Sequence, residues 1–170
     1  VAVDDSGQIY QSGLFCGTKT FGGATMTATT GGLSTFVTSY TAAAQDRWGV
    51  GGSSWNSAAS VELFPQLISG YLLGIHNVTT SPNYGNGFNP TLNGTMDSFL
   101  LKIDPQNGAV VGMHPLAGAG VQSTSLISLA ADGKLILAGR TESDMTVGAG
   151  VAVNGVQGSD VFVARIANPF

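Results

Sequence analysis

The sequence predicts an all-β chain made of about three copies of one sheet-forming unit. Three observations carry that expectation. Phe36, Phe99 and Phe162 recur at a spacing of 63 residues. Each stands in a short apolar segment, and no window sustains the 3.6-residue apolar period of an amphipathic helix. Without any gap, the same offset superposes Gly7, Gly70 and Gly133, then Ile9, Leu72 and Leu135, then Gly22, Gly85 and Gly148. Phe21, Tyr84 and Val147 also fall in line, as do Gly49 and Gly112. The agreement lies on glycines and large apolar residues, the types that a shared backbone path and a shared core demand. One repeat domain therefore spans the chain, with units at residues 1–63, 64–126 and 127–170.

Each unit opens with an apolar run: "VAV" from Val1, "SVELF" from Ser60 or "SLISLA" from Ser125. In the first and third units an acidic turn follows, "DDSG" or "AADG", and the chain resumes as "QIYQSG" or "KLILAG". Asp and Gly tolerate the left-handed backbone of a tight turn, so the reading is strand, turn, strand. The middle unit has "FPQLISG" there, and Pro65 suggests an edge, a bulge or a longer corner. A polar, Gly-rich stretch follows in every unit, exemplified by His76 to Thr95, and the three stretches are equivalent by register. Loops of that length are uncommon unless functional. The third strand is "STFVTSY", "DSFLLKI" or "DVFVARI"; the fourth is "DRWGVGG" from Asp46 or "AVVGMHP" from Ala109.

Four short antiparallel strands repeated at a fixed interval are the pattern of β-propeller blades, here three with the last incomplete. The string "VAVDDSGQIYQSG", the long loop and "MDSFLLKIDPQNGAVV" resemble the bacterial-type SBBP β-propeller repeat. The resemblance is clearest over Val1 to Gly13, Asp97 to Val111 and Asp132 to Ile166. The second unit lacks the acidic hairpin, and Ser34 stands where the other units have Asp97 and Asp160. The third unit lacks a fourth strand, which leaves a raw edge open to pairing. The missing strand and further blades are expected from a longer parent chain or from other protein subunits, with an open stack or sandwich as the other packing. Val1 in place of an initiating methionine, with no leader pattern after it, is expected of a mature product or a piece of something longer.

Only 9% of residues are charged against 43% hydrophobic, a balance expected of a secreted, periplasmic or cell-surface protein, or of one embedded in an assembly. The six basic residues are scattered singly and the formal net charge is -4, so no stripe gathers the phosphates of a nucleic acid. No apolar run approaches the roughly 20 residues of a transmembrane segment. Cys16 stands alone and reads as a small buried apolar side chain.

No catalytic constellation, cofactor or metal site is expected. His76 and His114 form no ligand-spaced pair and read as surface or loop-packing residues. No Gly-x-Ser-x-Gly elbow occurs. Asp97 and Asp160 read as turn caps in preference to calcium ligands, and Asp4 and Asp5 as hairpin residues. The sequons at Asn77 and Asn93 both lie in the long second loop, where a glycan has room. Trp48 reads as an intersheet packing residue. Trp55, Tyr84 and Phe88 are the candidate ligand or partner contacts, since loop aromatics anchor partners or sugar rings as readily as they fold a loop upon itself.

The resulting expectation is a non-catalytic β-propeller module that presents three equivalent loops to a protein partner. A carbohydrate-binding propeller and a piece of a propeller enzyme with its site at the central channel are the alternatives.

Overall fold

A computed structural model describes residues 1–55, 58–68, 70–148, 151–155 and 158–170; for residues 58–67 it describes the backbone. In chain order the strands are β1 (Ala2–Val3), β2 (Ile9–Phe15), β3 (Thr18–Phe21), β4 (Ala24–Thr27), β5 (Ser34–Tyr40) and β6 (Asp46–Gly51). β7 (Ala58–Ile68), β8 (Tyr71–Val78), β9 (Asp97–Ile103) and β10 (Val110–Gly118) follow. The last are β11 (Gln122–Leu129), β12 (Leu135–Thr141), β13 (Met145–Gly148), β14 (Val151–Val153) and β15 (Asp160–Ile166). Among the described residues the only helical element is the single 3-10 turn Gly52–Ser54, so no helix is long and apolar enough to cross a membrane.

The strands form several antiparallel sheets, none of them closed. The first sheet runs β1-β2-β5-β6, the second β7-β8-β9-β10 with β13-β14 added beyond β10, and the third β11-β12-β15. The 63-residue offset holds at the level of pairing. Gly13 lies opposite Phe36, His76 opposite Phe99, and Gly139 opposite Phe162. Ile9 with Tyr40, Leu72 with Ile103, and Leu135 with Ile166 repeat the same registration. A one-residue slip would move every side chain to the other face, so common register means common facing.

The acidic turns fold as their chemistry requires. Asp4 Oδ1 accepts the backbone N–H groups of Ser6 and Gln8, each at 2.9 Å, and Oδ2 accepts the Tyr10 hydroxyl at 2.9 Å. In the middle unit the β7-β8 register shifts between Leu63 and Leu67, placing Pro65 in a bulge on an edge strand. Proline lacks the N–H that a central ladder needs, and this is where a sheet tolerates it.

The polar stretches of the three units are equivalent by register but not in structure. In the first and third units they fold as the hairpins β3-β4 and β13-β14; in the second, residues 79–96 carry no strand. The first hairpin lies across its own sheet. A Cβ on Gly49 would come 2.2 Å from the Phe21 carbonyl oxygen, so only glycine admits the crossing.

Stacking places the core. One cluster joins Tyr10, Val37 and Trp48 of the first sheet to Leu72, Phe99, Leu101 and Ile103 of the second. Another joins Leu73, Ile75 and Leu100 of the second sheet to Leu135, Phe162 and Ile166 of the third. The middle sheet is thus covered on both faces, which is why β9 reads as a nearly continuous apolar run. Trp48 is the intersheet residue the sequence suggests, and its indole N–H donates to the Pro105 carbonyl at 2.9 Å.

Candidate functional site

Trp55, Tyr84 and Phe88 come together, but toward the interior. Trp55 ends the 3-10 turn, its N–H donating to the Gly52 carbonyl at 3.0 Å. The Asn83 N–H donates to the Ser54 carbonyl at 2.7 Å and ties the long loop to that turn. Between Tyr84 and Phe88 the chain doubles back, with the Tyr84 N–H on the Phe88 carbonyl at 3.0 Å. The two loop rings therefore enter one cluster, with Trp55 and Tyr84 buried and Phe88 half-buried against them. Trp55 meets Tyr84 edge to face at 5.2 Å between centroids.

His76 departs from the place its sequence context suggests, as Asn77 and Cys16 also do. It was expected at the surface or in a loop, yet it lies in β8, fully buried, at the centre of this cluster. Its Nδ1 lies 2.8 Å from the Tyr84 hydroxyl and its Nε2 3.3 Å from Thr35 Oγ1 of the first sheet. Burial pushes the imidazole pKa down to about 3, leaving it neutral at ordinary pH. A neutral imidazole carries one donor and one acceptor, so a phenol and a threonine hydroxyl satisfy it completely. Burial also raises the Tyr84 phenol above its ordinary value. This chemistry braces the loop against two sheets. The equivalent residues Gly13 and Gly139 lack a side chain, which is why the repeat pattern concealed it.

Asn77 requires a correction as well. It lies in β8, not in the loop, and is buried. Its Oδ1 accepts from the Ser98 hydroxyl and from the Thr124 N–H at 3.0 Å, while its Nδ2 donates to the Thr124 carbonyl at 2.9 Å. The amide locks the second sheet to the third, and a glycan there would break the junction. Asn93 is exposed in the loop. Secretion of the chain through a eukaryotic pathway is expected to give one N-glycan, removed by Asn93→Gln; intact-mass measurement showing a second glycan on Asn77 would contradict the fold.

Asp97 caps a turn, its Oδ2 accepting the Asn93 N–H at 2.6 Å. His114 is half-buried on β10 beside a cavity of about 250 Å³ also lined by Gly148, Val151 and Ile166. Burial lowers its pKa, against a smaller opposing contribution from the Val147 backbone. Cys16, expected to be buried, is exposed in the turn between β2 and β3. It borders an open recess of about 550 Å³. Its thiol is expected to react stoichiometrically with a colorimetric disulfide reagent in the native state; a reaction requiring denaturant would oppose that placement. Among the described residues, no three His, Cys, Asp or Glu side chains are grouped to hold a metal ion.

No protein-family model, curated protein or solved structure matches the chain. The resemblance to the SBBP repeat therefore rests on the quoted motifs alone.

Proposed function

We propose that the chain is a run of non-catalytic β-propeller blades serving as a structural and interaction module of a larger assembly outside the cytoplasm. The observation that carries this reading is the common pairing register of the three units, each sheet offering equivalent positions to the next. The propeller form is supported by the approach of first strands in successive units, β1 to β7 and β7 to β11, since blades gather such strands round an axis. The polar residues that could have served chemistry, His76, Asn77, Ser98 and Tyr84, are engaged in holding loop and sheets together. The carbohydrate-binding reading has less support, because Trp55 and Tyr84 are buried and Phe88 is half-buried against their cluster.

The test is gel filtration of a native extract with detection of this chain. Elution well above the mass of its own polypeptide is expected, and elution at that mass would overturn the assembly reading.

A further inference from the structure

The recess beside Cys16 has a lone cysteine and no buried polar group aimed into it. The cavity beside His114 has one unpartnered nitrogen on a half-buried ring. The outer face of the third sheet carries far more.

That face shows Val161, Val163, Ile136, Ala138 and Leu126. Leu126 pairs with Ala138 and Ala138 with Val163, so an apolar row crosses all three strands on one side. The 63-residue step gives each position a counterpart. Val163 corresponds to Val37 and Leu100, both 0% exposed, yet is itself 73% exposed. Ile136 corresponds to Tyr10 and Leu73, which are 2% and 1% exposed. Val161, 84% exposed, corresponds to Thr35 and Ser98, the residues that reach across to the following sheet. Twice in this chain the face is covered by a sheet that presents a central phenylalanine, Phe99 or Phe162.

The opposite end of the stack is closed. Phe36 is the counterpart of Phe99 and Phe162, but the β3-β4 hairpin covers it, with Phe21 stacked on its ring at 4.1 Å. The outer side of that hairpin is polar, with Thr18, Lys19, Thr20, Thr25 and Thr27 exposed. The first sheet thus presents a polar hairpin, and not an apolar face, on that side. A second copy of the chain would have to displace that hairpin before its first sheet could cover the open face. An uncapped unit would not.

We infer that the outer face of the third sheet docks one more unit of this same repeat, carried by a longer form of the same polypeptide. The inference rests on the assembly reading above for its biological sense and on the repeat register for its geometry. Arg165, held by Asp132 at 2.7 Å, and Arg140, 3.7 Å from Glu142, supply a charged rim to the apolar row.

The experiment extends the chain by placing a second set of residues 108–170 after Phe170, which keeps the 63-residue step unbroken. The appended unit is expected to resist limited proteolysis and to slow hydrogen exchange along β15. Val163→Glu should free the appended unit to protease while leaving the melting midpoint of the original 170-residue chain unchanged. Cleavage of the appended unit with Val163 intact would overturn the inference. So would light scattering that shows the original chain as a dimer dissolved by Val163→Glu, which would make the occupant a second copy. Failure here is separable from failure of the assembly reading: native elution at the polypeptide's own mass refutes that reading even when the appended unit docks.

Discussion

Truncation of Phe99 to alanine is expected to destabilise the fold by about 3–5 kcal/mol, the usual range for emptying a fully buried phenylalanine site. The ring is 1% exposed and lies between the first two sheets, where Leu72, Leu101, Ile103 and Tyr10 share its cluster. β9 is hydrogen-bonded on both sides, so the backbone has little freedom to collapse into the vacated space. Phe36 is the useful comparison. It occupies the equivalent position, but a hairpin of two four-residue strands covers it in place of a whole sheet. Phe36→Ala should therefore fall at the lower end of that range. Because the middle sheet belongs to both clusters, each variant should unfold in urea as one transition with an unchanged slope. A Phe99→Ala loss below about 1 kcal/mol, within the range of surface substitutions, would show that the sheets are not stacked as described.

The legible part of this fold was the part that repeats. Glycine and large apolar residues recur at 63-residue spacing because turns and core positions must recur, and the third strands came out at Ser34–Tyr40, Asp97–Ile103 and Asp160–Ile166. The hairpins β3-β4 and β13-β14 are not legible in the sequence, since strands of three or four residues are too short for a sustained alternation, and those of the first are rich in Thr. The Gly22-Gly23 pair between Phe21 and Ala24 was the available signal, being a favoured two-residue hairpin turn.

Departures from the repeat mislead in the opposite direction. His76 and Asn77 open the most polar run of the chain, and polarity there suggested a loop. Both are buried because partners on other elements satisfy them: Thr35 and the loop residue Tyr84 for His76, Ser98 and Thr124 for Asn77. Cys16 went astray because its residue type is usually interior, while its place in a tight turn put it outside.

The buried imidazole makes stability depend on pH, with a sign fixed by its lowered pKa. His76 is held neutral in the fold with its pKa near 3, against 6.5 for the free side chain. Between those values the unfolded chain binds a proton that the folded chain does not, so acid favours unfolding. The stabilisation is complete above about pH 6.5 and is lost progressively as pH falls toward 3. Each pH unit within that window costs about 1.4 kcal/mol per proton, or about 2 kcal/mol between neutrality and pH 5. His114, also lowered by burial, acts in the same direction. Urea midpoints measured from pH 7 to pH 4 should fall steeply. His76→Gln removes the titrating group while keeping a donor and an acceptor for Tyr84 and Thr35, so it should be less stable than the parent at pH 7 and much less sensitive to acid. The two stability curves are thus expected to converge as pH drops, because protonation takes from the parent what the substitution has already removed. Parallel curves would place the acid sensitivity elsewhere, and would mean that water reaches His76 in the folded protein.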